Sequence, residues 1–324
     1  MLPRPLSKTD DPFLAPEPPA GVRPDAPTGE RAGRARGLVR SVRPHQWLKN
    51  LLVVAAPGAA GVLFHRAILA RTALAFLAFC LASASMYLVN DVSDIRWDQV
   101  HPRRSRRPIA SGVVPVPLAL AAAVVLVVAA FGTAAILGGS FLLALGLYLG
   151  LTLAYSAWLK HLAVLDIAAV ASGFVLRAVA GGVATNVHIS QWFLILVSFA
   201  SLFVVAGKRH GDLVALAQAD PGQVSGGRRI EYTAAYLRYV WMVASGVAIT
   251  AYCLWAFDQP HVRLHVPWSE LSAVPFVLAV LRYALLLDVG KGAAPEEVAL
   301  RDPPLLALVA AWAVVYGLGV YLGH

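Results

Sequence analysis

The chain has 324 residues, of which 58% are hydrophobic and only 14% charged, and its mean hydropathy is +0.66. A soluble domain with a normal charged shell does not reach these values, so the lipid bilayer is expected to be the main solvent. The net charge of +9 would suit a nucleic acid, but the basic residues gather between apolar runs instead of forming one continuous stripe, which excludes that partner. The two cysteines, Cys80 and Cys253, lie inside apolar runs without a near partner, so neither a disulfide framework nor a CxxC metal site is available.

Residues 1–40 hold eight of the 21 prolines and almost no apolar periodicity, which predicts a disordered Pro/Arg-rich tail ahead of a transmembrane catalytic domain over 41–324. No apolar core of a signal peptide precedes residue 50, so no cleaved leader is expected. Nine apolar segments follow, at 45–64, 68–90, 115–136, 139–158, 162–184, 190–208, 233–256, 268–288 and 303–322. Most are near the ~20 residues that cross a ~30 Å hydrocarbon core. The fold class is therefore all-α, a polytopic membrane bundle of nine transmembrane helices. Lys49 and Pro57 interrupt the first segment, which leaves eight spans as the alternative. With the tail inside, alternate loops carry 22 of the 27 Lys and Arg residues and the opposite loops carry three. By the positive-inside rule the first set is cytoplasmic.

The second segment runs out into Asn90-Asp91-Val92-Ser93-Asp94-Ile95-Arg96-Trp97-Asp98. At 100° per residue the three aspartates share one helix face. Carboxylates so close together call for a hard divalent cation bound by oxygen, with a substrate phosphate completing its shell, and magnesium fits. Asp91, Asp94 and Asp98 are the candidate ligands, and Asn90 offers an amide oxygen. The competing reading is a solvated acidic helix cap, disfavoured because aspartate is costly near a membrane. His101-Pro102-Arg103-Arg104-Ser105-Arg106-Arg107-Pro108-Ile109-Ala110-Ser111-Gly112 follows directly, and guanidinium forks match phosphate oxygens. Topology alone explains some of these arginines, so only Arg103 and Arg107 are offered as ligand contacts.

A second polar group, Tyr155 to Asp166, joins the fourth and fifth segments on the same side, so Lys160 and Asp166 can face the first. Arg177 returns to within 20° of the Asp166 face, about 16 Å deeper, and an intramembrane arginine is a functional candidate whose alternative is a structural contact inside the bundle. Lys49, Lys208, Arg209 and Arg282 are further candidate phosphate contacts. His261 and His265 stand four apart without a carboxylate nearby and do not support a metal site. Gly146 and Gly150 form GxxxG, for which close helix packing is the expected use.

Asn90-Asp91 with Asp94 and Asp98, the run Arg107-Pro108-Ile109-Ala110-Ser111-Gly112, and Tyr155 with Lys160 and Asp166 together resemble the UbiA superfamily of intramembrane prenyltransferases, over nearly the whole chain from Arg43. The resemblance implies a diphosphate held through magnesium by two aspartate-rich motifs within a nine-helix bundle. The first motif matches completely, whereas the second has Asp166 as its only carboxylate. The runs Arg43 to Asn50, Asp166 to Gly182, Ala206-Gly207-Lys208-Arg209 and Ala299-Leu300-Arg301-Asp302 are similar to a phosphoribosyltransferase branch of that superfamily. Members of that branch use 5-phosphoribosyl 1-diphosphate as donor and a polyprenyl (decaprenyl) phosphate as acceptor, making the lipid-linked precursor of cell-wall arabinan at the plasma membrane. That resemblance implies catalytic roles for Asp91, Asp94, Lys160 and Asp166. It implies substrate contacts from Lys49, Asn90, Arg103, Arg107, Tyr155, Arg177, Lys208, Arg209 and Arg282. The alternatives are prenyl transfer to an aromatic acceptor, which needs a second acid-rich motif, and secondary transport, which places its charges at the midplane between repeats. Oligomeric state is not legible from the sequence.

Overall fold

The computed structural model describes residues 30–100, 104–219, 232–258, 266–289 and 301–322, and every regular element among them is helical. The chain divides into two compact units, one formed by residues up to His45 with Ser83–Leu126, the other by Gln46–Ala82 with Val127 onward. Among the described residues eight helices are long and apolar enough to cross a bilayer: α3 (Arg66–Ser93), α5 (Val116–Leu137), α6 (Gly139–Ala157), α7 (Leu165–Thr185), α8 (Gln191–Ala219), α9 (Ala234–Phe257), α10 (Trp268–Asp288) and α11 (Pro303–Leu322). The protein is accordingly a multi-pass membrane protein. Three short helices also lie among the described residues: α1 (Glu30–Ser41), α2 (Ala55–Ala59) and α4 (Ile95–Val100).

The expected first spanning segment is not one long helix. Pro44–Val54 is a 3-10 stretch that hands over to the five-residue α2. Pro57 explains the break: it has no N–H for residue 53 and its ring clashes with that carbonyl, so an α-helix must restart within the preceding turn, as it does at Ala55. Glu30–Ser41, which fell within the expected tail, is helical. Its Ala, Arg and Glu residues are good helix formers, and Leu38 and Val42, four apart, pack on the core of the first unit. Residues 1–29 lie outside the described residues.

That core joins Leu88, Ile109, Val114, Ala119 and Ala123. Gly37 sits so close that an added Cβ would be 2.9 Å from a Val114 methyl. The segment after the basic run is thus pinned at Ile109 and Val114, both buried, and Val114 N–H donates to the Pro108 carbonyl at 2.8 Å.

In the second unit α7 is deeply enclosed, with 56% of its spanning window buried against 11% for α11. Its sequence explains this: Ala169, Ala171, Gly173, Ala178, Ala180, Gly181, Gly182 and Ala184 are all buried, and small side chains let backbones approach closely. The tightest approach is at Gly181, where a Cβ would lie 1.9 Å from the Val53 carbonyl oxygen. Backbone cannot yield as a side-chain tip can. Gly181→Ala is therefore expected to destabilise by about 1–3 kcal/mol, read as a lower melting temperature in detergent, and unchanged melting would contradict this packing. Gly146 and Gly150 behave otherwise. Among the described residues nothing lies within 4 Å of a Cβ built at either, so the GxxxG of α6 makes no close helix contact there, contrary to expectation.

Candidate active site

The acidic face forms as its spacing predicts. Although α3 ends at Ser93, Asp94 N–H donates to the Asn90 carbonyl and Asp98 N–H to that of Asp94, both at 2.9 Å, so helical phase carries into α4. Asp91 and Asp98 are 3% and 1% exposed, which is rare for aspartate without compensation. The compensation is arginine. Arg107 Nη1 reaches both carboxylates, at 3.1 Å to Asp91 and 2.7 Å to Asp98. Arg43 Nη2 lies 2.5 Å from the same Asp91 Oδ1, with its guanidinium over the Tyr87 ring. Arg104 stands 4.0 Å from Asp98 Oδ1, which is buried and accepts no hydrogen bond. Asp94 and Asn90 are half-buried at the same helix end. The cations between these carboxylates are the guanidiniums of Arg43 and Arg107, and among the described residues no three acidic, histidine or cysteine groups converge as a ready metal cage. Arg103, His261 and His265 lie outside the described residues.

The second polar group belongs to the other unit. Asp166, in the first turn of α7, is 2% exposed and has both oxygens engaged. Oδ2 pairs with Arg209 Nη2 at 2.7 Å, and Oδ1 accepts from the Tyr232 hydroxyl. The same hydroxyl accepts from the Val164 N–H at 2.7 Å. Arg209 Nη2 also reaches the Tyr155 hydroxyl at 3.3 Å. Lys208, one residue and 100° away, is exposed. Lys160 is half-buried in the 3-10 turn Leu159–His161, and Lys49 is half-buried in the 3-10 stretch Pro44–Val54.

Burial, then the bond to Asp166, pushes the Tyr232 phenol up to about 12 from its usual 10. A raised folded-state value means the native state holds this proton more tightly than the unfolded chain. The stabilisation is full below pH 10 and lost as pH rises towards 12. Melting temperature is expected to fall more steeply over that window in the parent protein than in Tyr232→Phe, and parallel curves would contradict the assignment.

Backbone strain collects at both groups. Arg43 and Val164 have φ of +50° and +68°, and among the described residues only Asn186, the left-handed C-cap of α7, is a further non-glycine with positive φ. Asparagine tolerates that region, whereas a β-branched valine rarely enters it, and such strain persists only where the surroundings over-determine it.

Arg177 is 7% exposed and its nitrogens bond neutral oxygens: Nε to Asn50 Oδ1 at 2.8 Å, Nη1 to the Gly173 carbonyl at 2.7 Å and Nη2 to the Tyr148 hydroxyl at 2.8 Å. Its guanidinium lies 4.5 Å from the Tyr148 ring centroid. Arg282 pairs through two nitrogens with Asp302, at 3.1 and 2.8 Å, while Asp302 caps α11 through the Leu305 N–H. Sequence reasoning passed over Tyr232, Asn50 and Tyr148. Asn50 alone left a signal, an amide beside Lys49 at the entry to the apolar run 51–56, and it is fully buried.

The profile of the UbiA prenyltransferase family matches residues 51–297. The chain belongs to this family. It is 42% identical over 304 residues to a decaprenyl-phosphate phosphoribosyltransferase of Mycobacterium tuberculosis, covering 92% of this chain and 99% of the relative. It is 42% identical over 294 residues to the enzyme of the same name from Corynebacterium glutamicum, covering 89% of this chain and 88% of the relative. Among solved structures, a UbiA homolog from Archaeoglobus fulgidus bound to DMAPP and Mg2+ superposes with a TM-score of 0.65 at 18% identity, covering 88% of this chain and 99% of that one. The family fold is thus shared, with the helical architecture expected from the apolar segments.

Proposed function

We propose that the protein transfers a 5-phosphoribosyl group from 5-phosphoribosyl 1-diphosphate to a polyprenyl phosphate, decaprenyl phosphate by analogy with its relatives. The reaction takes place at the cytoplasmic face of the plasma membrane and forms the lipid-linked precursor of arabinan. The observation that carries this reading is identity of about 42% along nearly the full length of phosphoribosyltransferases of that name. The local chemistry agrees with it, since guanidiniums accompany every buried carboxylate of the two polar groups.

The acidic face suits a magnesium ion. Asp98 Oδ1 is a buried hard oxygen with no hydrogen-bond donor, and Asp91 Oδ1 already draws two cationic groups. Asp91, Asp94 and Asp98, with Asn90, would hold the ion, which when bound neutralises charge on a departing diphosphate. Arg43 and Arg107, each more than a quarter exposed, supply guanidiniums that can turn from carboxylate to diphosphate oxygens. An acceptor phosphate oxygen bonds to ribose C1 as the C1–O bond to the diphosphate breaks, and the electron pair leaves with the diphosphate. A phosphate monoester has its second pKa near 6 and is largely ionised at neutral pH, so no strong base is needed. Lys49 and Lys160 receive the acceptor phosphate, and Lys208 and Arg209 the donor 5-phosphate. Arg177 and Arg282 are assigned to the fold, since protein oxygens already engage them.

The reading is tested by ligand-dependent melting in detergent. 5-Phosphoribosyl 1-diphosphate with magnesium is expected to raise the melting temperature, and geranyl diphosphate with magnesium is not. Stabilisation by the prenyl diphosphate alone would move the protein to the prenyl-transferring part of its family.

A further inference from the structure

We propose that Tyr232 is a positioning residue for phosphate recognition, holding Asp166 and through it Arg209 in the orientation that a phosphoryl ligand needs. The inference deepens the reading above, since it takes Arg209 as a phosphate contact, but it stands on its own geometry. A carboxylate with both oxygens bonded and 2% exposure is poorly disposed to ligate a metal or accept a proton. Its evident work is to fix one guanidinium. Arg209 meets Asp166 and Tyr155 through the same nitrogen, Nη2, while the side chain remains 27% exposed, so the anchored guanidinium is still reachable by a ligand. A guanidinium held on one side and open on the other is preorganised for phosphate oxygens.

Tyr232 is what keeps that arrangement in place. Its hydroxyl donates to Asp166 and accepts from the N–H of Val164, a residue held at φ +68°. One phenol thereby ties the residue preceding the α9 N-cap, Thr233, to the strained entry of α7. Its ring is stacked on Tyr236, 5.7 Å away with the planes 4° apart, so removing only the hydroxyl leaves the ring seated. The phenol stays protonated throughout the working pH range and remains a donor to the carboxylate.

The test is Tyr232→Phe, assayed in detergent by turnover and by melting with and without inorganic phosphate, which stands in for the donor 5-phosphate. The expected result is a donor KM raised about tenfold with kcat within about twofold, the effect of one misplaced charge-assisted contact, together with a reduced phosphate-induced melting shift. A variant with parental KM and a parental phosphate shift would overturn the proposal. Should Tyr232→Phe fold poorly, Val164→Gly is combined with it, since glycine adopts positive φ without strain. If Tyr232 serves only to hold the backbone, the double variant regains both stability and phosphate response, and the proposal falls. If Tyr232 positions Arg209, stability returns and the phosphate response does not. A parent protein that responds to phosphate yet turns over no phosphoribosyl donor would contradict the proposed reaction while leaving this inference intact, whereas a parent without any phosphate response overturns the inference.

Discussion

Replacing Asp91 with alanine is expected to lower turnover by about 10³-fold, the loss of several kcal/mol of leaving-group stabilisation, while the protein still inserts and purifies. The structure explains why activity and folding separate. Asp91 is the point where Arg43 and Arg107 meet, but both guanidiniums are partly exposed and can be solvated when the carboxylate is removed, and Arg107 keeps its 2.7 Å contact with Asp98. The complementary variant acts on the other side of the balance. Arg107→Ala leaves Asp91 and Asp98 buried with less cationic compensation, so magnesium should raise its melting temperature by more than it raises that of the parent. Full turnover in Asp91→Ala, or a magnesium response in Arg107→Ala no larger than the parent's, would remove the acidic face from the mechanism.

The second large effect is on stability. Arg177→Ala is expected to cost roughly 3 kcal/mol, because three charge-assisted hydrogen bonds disappear together and buried polar atoms of Asn50 and Tyr148 lose their partner. That corresponds to a melting decrease on the order of 5 °C in a chain of this size. Arg177→Lys should recover only part of it, since one ammonium cannot reach in the three directions that the planar guanidinium serves. The reason is architectural. Among the described contacts, Arg177 binds the 3-10 stretch through Asn50, α6 through Tyr148 and α7 through Gly173, so it ties the broken segment Pro44–Val54 to the helices beside it. A variant that melts as the parent does but shows a raised KM for the lipid phosphate would instead make Arg177 a substrate contact.

Much of this was readable in the chain because the signals were local. The apolar run at 268–288 coincides with α10, and that at 139–158 differs from α6 by one residue, since a bilayer imposes both length and composition on its helices. The aspartates at i, i+3 and i+7 needed only helical periodicity to be placed together. What escaped depended on partners distant in sequence or on the cost of a single backbone position. Pro57 turned the first span into a 3-10 stretch and a short helix, and the burial of Leu38 and Val42 drew 30–41 out of the expected tail. Arg177 stood out as an intramembrane cation, but its neutral partners lie 29 and 127 residues away. Tyr232 carried no signal at all, because a phenol 66 residues from Asp166 becomes meaningful only once α7, α8 and α9 pack together.

The central claim is tested most directly by supplying purified protein in detergent with a polyprenyl phosphate and radiolabelled 5-phosphoribosyl 1-diphosphate, with and without magnesium, and following label into the lipid phase. Magnesium-dependent label in the lipid, lost in Asp91→Ala, is the predicted result. Absence of lipid label from the parent protein, with consumption of a prenyl diphosphate when an aromatic acceptor is offered, would contradict it.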